Sequence, residues 1–131
     1  MTKVSVLIPT YNEERTIVPI LERVNAQVID DIELEVIVID DGSKDRTVAL
    51  LEERQEIYTK LDKQPANGGK GAAVKAGLPE ATGEFILFQD ADLEYDPAEY
   101  ENLFQPITEF GADIVMGSRF AAPKITRVVY F

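Results

Sequence analysis

The chain has 131 residues, 45% of them hydrophobic, a formal net charge of -11, and neither cysteine nor histidine. That length supports one domain around one core, while the missing thiols and imidazoles exclude disulfides, thiolate or histidine zinc sites, and cysteine or histidine catalysis. The acidity argues against a nucleic-acid partner, because phosphate backbones are held by clustered Lys and Arg.

Val4 to Ile8 is a continuous apolar run closed by Pro9, as a strand buried on both faces requires. After Asn12, a residue type that caps helices, Ile17, Ile20, Leu21, Val24 and Val28 recur at helical spacing. Val36 to Ile39 reads as a second buried strand ending in Asp40-Asp41-Gly42-Ser43, and Asp45 suits the start of a helix carrying Val48, Leu50 and Leu51. A weaker third strand falls near Tyr58 to Lys63. Asn67-Gly68-Gly69-Lys70-Gly71 is a turn that opens onto a small-residue helix, Ala72 to Ala81, before a strand over Glu84 to Gln89. Pro97 fits a first helical position; Tyr100, Leu103, Phe104, Ile107 and Phe110 make the next apolar stripe, closed by Gly111. Ile114 to Met116 then supplies a strand before Gly117-Ser118-Arg119. Strands alternating with helices imply an α/β fold with a mostly parallel sheet flanked by helices on both faces.

The strongest chemical signal is Phe85-Ile86-Leu87-Phe88-Gln89-Asp90-Ala91-Asp92, an apolar strand ending in two carboxylates one residue apart. A parallel strand delivers its last residues to the carboxyl edge of the sheet, where open α/β proteins place ligands. Two acids there repel and lose hydration unless a cation, a donor or water compensates them, and a divalent metal held by oxygen is a natural partner. A solvated acidic turn would explain the same spacing. Two phosphate motifs fail. The residues after the first strand, Pro9-Thr10-Tyr11-Asn12-Glu13, are no dinucleotide fingerprint, and Lys70 lacks the Gly six residues before it and the Ser or Thr after it that a triphosphatase phosphate loop needs.

Taken together, Val4 to Glu13, Val36 to Ser43, Asn67 to Ala73, Gln89 to Asp92 and Gly117-Ser118-Arg119 resemble, in order, the amino-terminal half of a family 2 glycosyltransferase. The nearest flavour is the dolichol-phosphate mannose synthase type, which often carries a similar Asp-Ala-Asp-Leu run. The resemblance implies the GT-A fold, a Rossmann-like nucleotide-diphospho-sugar transferase sheet, with residues 1–131 forming the donor-binding part of a single domain and the acceptor-binding part absent.

It also implies roles. Pro9, Tyr11 and Glu13 match the first nucleotide-binding loop, with the Tyr11 ring against a base and Glu13 accepting from base or ribose. Asp41, with Ile39 beside it, matches the position that reads the base edge, while Asp40 shapes the turn. Lys70 is a candidate phosphate or nucleotide contact on a Gly-rich turn. Asp90, with Ala91 next to it, matches the carboxylate that addresses the ribose and the metal; Asp92 matches the principal ligand of Mg²⁺ or Mn²⁺, the residue of catalytic leaving-group stabilisation. Arg119 resembles a diphosphate-binding arginine, and Arg127 is either a second one or a surface residue. Glu94 stands where some synthases carry Gln, and is either a third carboxylate ligand or a solvated acid before the Tyr95-Asp96-Pro97 turn.

The implied reaction is inverting transfer of a sugar from a UDP- or GDP-sugar to a polyprenyl phosphate or saccharide acceptor, with no catalytic base identifiable in the chain. The alternative is a module that binds nucleotide and metal without catalysing. A sugar-nucleotide pyrophosphorylase would need a Gly-rich basic loop after the first strand, which Pro9 to Glu13 does not provide. No segment approaches the roughly 20 apolar residues of a membrane span, and the amino end has no signal-peptide core, so a cytoplasmic location, peripheral to the membrane in a longer protein, is the expectation. The apolar end Val128-Val129-Tyr130-Phe131 reads as an edge of a truncated domain, able to self-associate.

Overall fold

The apolar run at the amino end becomes a central strand of the sheet. The computed structural model describes residues 1–92, 97–102, 104, 115–116 and 128–130. Strand β1 (Thr2–Thr10) pairs in parallel with β2 (Ile32–Asp40) on one side and with β4 (Phe85–Phe88) on the other. The sheet continues to β3 (Lys60–Lys63) beyond β2, and to β6 (Val128–Tyr130) and then β5 (Val115–Met116) beyond β4, giving the order β3-β2-β1-β4-β6-β5. Each of these pairings is parallel.

Parallel strands must be covered on both faces, and the period-2 alternation of β1 and β2 supplies two apolar surfaces. Val4, Val6 and Ile8 face one core with Val36 and Val38, packed against Ile17, Ile20, Leu21 and Val24 of helix α1 (Ile17–Asn25) and Leu51 of α2 (Thr47–Glu53). Tyr100 and Phe104, both fully buried, complete that core with ring centroids 5.7 Å apart. Leu7, Ile37 and Ile39 face the other side, beneath Ala73 of α3 (Lys70–Gly77). Gly77 lets α3 lie close to the sheet: a Cβ there would sit 2.6 Å from the Ile39 Cδ1, and the Ile39 side chain would have to shift.

Several expectations need correction. Helix α1 stops at Asn25, whose amide donates to the Leu21 and Ile57 carbonyls, so Val28 lies past the helix and is 91% exposed. Asn12 does not cap α1, since Glu13 O receives the N–H groups of Thr16 and Ile17. Helix α3 starts two residues earlier than the small-residue run suggests and passes at Leu78–Glu80 into a 3-10 turn. Val128 to Tyr130 is not an uncovered edge, because β6 pairs with both β4 and β5. The rest of the 103–111 stripe apart from Phe104, and Ile114, Gly117, Ser118 and Phe131, lie outside the described residues.

Candidate functional site

From β1 the chain steps outward to β2 and β3, then crosses back to β4 on the other side of β1. That reversal opens a crevice at the carboxyl ends of the strands, the usual ligand position in open α/β sheets. A cleft of ≈ 270 Å³ lies there, lined by Pro9, Thr10, Tyr11, Glu13, Asp41, Lys70, Ala73, Asp90, Ala91 and Asp92.

Each loop is held by identifiable contacts. After β1, Asn12 adopts φ 51°, its N–H donates to the Ser43 hydroxyl at 2.9 Å, and its side-chain oxygen accepts the Lys44 N–H at 2.8 Å. The Glu13 N–H donates to Thr47 Oγ1 at 3.0 Å, and the Glu13 carboxylate accepts from the Thr16 hydroxyl. Asp45 accepts the Thr47 N–H and hydroxyl at the start of α2 as well as the Glu14 N–H. Burial pushes the Asp45 carboxyl upward, but these donors outweigh it and leave it below the usual carboxylate range.

At the end of β2 the two adjacent aspartates divide their work. Asp40, 2% exposed, accepts the Ser43 N–H through Oδ2 and shapes the turn as expected; its Oδ1 has no hydrogen bond among the described residues. Asp41, 3% exposed, accepts the Gly68 N–H on one oxygen at 2.9 Å and the Gly69 N–H on the other at 2.8 Å. Gly42 (φ +77°) lets the same turn approach, since a Cβ there would sit 2.9 Å from both Ala66 C and Asn67 N. The Gly-rich turn is thereby docked onto the end of β2. It presents Lys70, whose Nζ pairs with Asp90 Oδ1 across the cleft.

The β4 end is braced from below. Gln89, fully buried, donates through Nε2 to the Asp90 carbonyl at 3.1 Å and accepts the Tyr100 hydroxyl at 2.6 Å. Burial pushes the Tyr100 phenol well up, so the hydroxyl stays a donor.

The sequence-derived site residues Pro9, Tyr11, Glu13, Asp41, Lys70, Asp90, Ala91 and Asp92 therefore meet in one cleft. Ile39 does not join them: its side chain is fully buried in the core under α3. Glu94, Arg119 and Arg127 lie outside the described residues. Thr10 and Ala73 also line the cleft; both lie within the motif segments, but neither carries a side chain distinctive enough to mark it as a site residue from the sequence. Among the described residues no group of three or more acidic, His or Cys side chains is arranged to hold a metal. Two carboxylates on one strand end still fit Mg²⁺ or Mn²⁺, because such ions are commonly held by one or two carboxylates together with substrate phosphates.

An open parallel sheet with a polar, carboxylate-bearing crevice at its reversal point defines a ligand-binding α/β domain of the nucleotide-binding kind. The family profile described as glycosyl transferase family 2 matches residues 5–129. The chain belongs to that family, and its sheet is the GT-A fold.

Among curated relatives, the chain is 35% identical over 119 residues to dolichol-phosphate mannosyltransferase of Pyrococcus furiosus, covering 90% of this chain and 33% of that one. It is 34% identical over 118 residues to the poly(ribitol-phosphate) beta-N-acetylglucosaminyltransferase TarS of Staphylococcus aureus, covering 88% and 21%. Among solved structures, S. aureus TarS in complex with UDP-GlcNAc superposes with a TM-score of 0.73 at 29% identity, over 93% of this chain and 37% of that one. A mannosyltransferase from Pyrobaculum calidifontis in complex with GDP-Man and Mn²⁺ superposes with a TM-score of 0.70 at 29% identity, over 88% and 35%. The chain thus spans only about a fifth to a third of the length of these two curated relatives.

Proposed function

We propose that this chain is the donor-binding part of a metal-dependent, inverting glycosyltransferase that moves a sugar from a UDP- or GDP-sugar to a polyprenyl phosphate or saccharide acceptor. The observation that carries the reading is the convergence of Tyr11, Asp41, Lys70, Asp90 and Asp92, from four separate loops, on one cleft at the carboxyl edge of the sheet. Relatives named for polyprenyl-linked sugar transfer, and neighbours crystallised with nucleotide sugars, support it.

Each side chain has a task that its position suits. Tyr11, 38% exposed at the rim, offers a ring face to a base. Asp41 already accepts two N–H groups, yet a carboxylate has about four lone-pair sites, leaving room for a base imino proton. Asp90 accepts from the ribose, and Lys70 reaches the diphosphate from the head of α3. A divalent cation held by Asp92 and Asp90 would supply Lewis-acid neutralisation of the departing diphosphate. The acceptor would attack the anomeric carbon from the face opposite the diphosphate, forming one bond as the other breaks. Arg119 and Arg127 are proposed as further diphosphate contacts and Glu94 as a further carboxylate near the cation.

Calorimetric titration with UDP and GDP, each with and without Mn²⁺, tests this directly. Metal-dependent binding of one nucleotide, lost in Asp92→Ala, is the expected result. A folded protein that binds neither nucleotide would overturn it.

A further inference from the structure

Lys70 is the one basic side chain among the described residues lining the cleft, against the carboxylates of Glu13, Asp41, Asp90 and Asp92. It pairs with Asp90, the carboxylate that the proposed function gives to the ribose and the cation.

The backbone fixes where the Lys70 side chain starts. Lys70 is the first residue of α3, directly after Gly69 at φ +92°, and no side chain caps that helix start. The Gly68 and Gly69 N–H groups go instead to the two oxygens of Asp41, which sits 27 to 28 residues earlier at the end of β2. Gly42 admits the turn at a distance no Cβ would tolerate. With Asp41 and Gly42 anchoring the turn and β4 presenting Asp90, the Lys70 ammonium is delivered to the mouth of the carboxylate pair.

Asp90 then has two competing cations. A divalent ion that arrives alone must take Asp90 from Lys70 and leave that ammonium beside a second positive charge. An ion that arrives with a diphosphate brings Lys70 new acceptor oxygens, so the exchange costs little. We propose that Lys70 is the resting counter-ion of Asp90, a placeholder that moves to the diphosphate when the donor binds, so that the site takes up metal and diphosphate together and discourages metal alone. Asp41 is the positioning residue for this exchange. The inference rests on the donor-site reading above and adds to it a coupling between two ligands, which must be reciprocal.

The sign separates this role from that of a simple phosphate contact. Removing a phosphate contact weakens nucleotide binding and leaves binding of the bare ion unchanged. Removing a placeholder weakens nucleotide binding but tightens the bare ion. Because the Lys70 side chain is 63% exposed and that of Asp90 27%, the pair is partly screened, and the tightening should be about two- to fivefold.

The test is titration of Mn²⁺ alone, followed by the paramagnetic resonance of the free ion, on the wild-type protein and on Lys70→Met, then repeated with inorganic pyrophosphate present. Lys70→Met should bind Mn²⁺ alone two- to fivefold more tightly, and pyrophosphate should enhance Mn²⁺ binding less than in the wild type. A second readout needs no metal: amine labelling of Lys70 should rise in Asp90→Asn. Unchanged or weaker Mn²⁺ binding by Lys70→Met, no Mn²⁺ binding by either protein, or unchanged labelling would each overturn the proposal. Metal-dependent nucleotide binding with unchanged Mn²⁺ affinity in Lys70→Met would overturn it while leaving the glycosyltransferase reading intact. Tightened Mn²⁺ binding without nucleotide binding by the wild type or any variant would overturn the glycosyltransferase reading and, with it, the move of Lys70 to a diphosphate, leaving only the Lys70–Asp90 counter-ion pair.

Discussion

The backbone N–H of Asn12 donates to the hydroxyl of Ser43 at 2.9 Å, and the Asn12 side chain returns the contact by accepting the N–H of Lys44 at 2.8 Å. This reciprocal latch ties the loop that carries Tyr11 and Glu13 to the loop that follows Asp41, and so links the two halves of the proposed base site. Both contacts are exposed, and their net contribution to stability should be small, about 0.5–1 kcal/mol together. Their effect on the site should be larger in proportion. Ser43→Ala is expected to lower the melting temperature only slightly while weakening nucleotide binding several-fold, measured by thermal unfolding and calorimetry on the same preparation. Equal binding in the variant would mean that the loops hold their positions without the latch.

Gly42 should be far less tolerant than Ser43. At φ +77° a side chain is strained whatever the space, and a Cβ would also meet Ala66 and Asn67 backbone atoms at 2.9 Å. Gly42→Ala is therefore expected to cost about 1–3 kcal/mol and to push the Gly68–Gly69 turn off Asp41. Denaturant unfolding gives the first number. Faster amide exchange at Gly68 and Gly69 would report the second.

Much of this arrangement was legible in the sequence, for reasons that are local. Val4 to Ile8 and Val36 to Ile39 read as buried parallel strands because both faces are covered, and Asp40 to Ser43 and Asp90 to Asp92 read as site loops because they end such strands. What was not legible depends on distant partners. Periodicity carries Val28 into α1, yet the Asn25 amide turns to Ile57 and the helix ends first. Asn12 has the chemistry of a helix cap and spends it on Lys44, a residue on another loop. Ile39 comes two residues before Asp41, but it lies inside β2 and not past its end, and its side chain packs in the core beneath α3. No local window shows that Asp41 holds Gly68 and Gly69.

The brace beneath Asp90 gives a further test. Tyr100 and Gln89 are both fully buried and share a 2.6 Å hydrogen bond, while Gln89 also holds the Asp90 carbonyl. Tyr100→Phe keeps the ring against Phe104 and removes only the hydroxyl, so the loss is that of a buried hydrogen bond, about 1–2 kcal/mol. If the brace sets the position of Asp90, Mn²⁺-dependent nucleotide binding should weaken in parallel, although Tyr100 does not line the cleft. Reduced stability with unchanged binding would confine Tyr100 to the core.

Glu35, away from the cleft, is expected to make the fold itself sensitive to acid. It lies on β2 beside Ser5 of β1, 4% exposed, and accepts hydrogen bonds from the Ser5 hydroxyl and from the N–H and hydroxyl of Thr82, with Lys3 and Lys60 ammonium groups at 3.4 and 3.8 Å. Burial pushes its carboxyl upward, but those donors and the Lys3 charge outweigh burial and hold it at about 2, against an ordinary 4.5. A carboxylate with a depressed folded-state pKa stabilises the fold above its unfolded value, and that contribution is lost as pH falls from 4.5 towards 2. The contribution at neutral pH should be on the order of 2–3 kcal/mol. Glu35→Gln cannot titrate, and its amide would place N–H groups where the wild-type carboxylate accepts donors. The variant should therefore be less stable than the wild type at pH 7, and the difference should shrink as the pH is lowered from 4.5 towards 2. Denaturant unfolding across that range measures both slopes. Parallel curves would show that Glu35 carries no pH-linked stability.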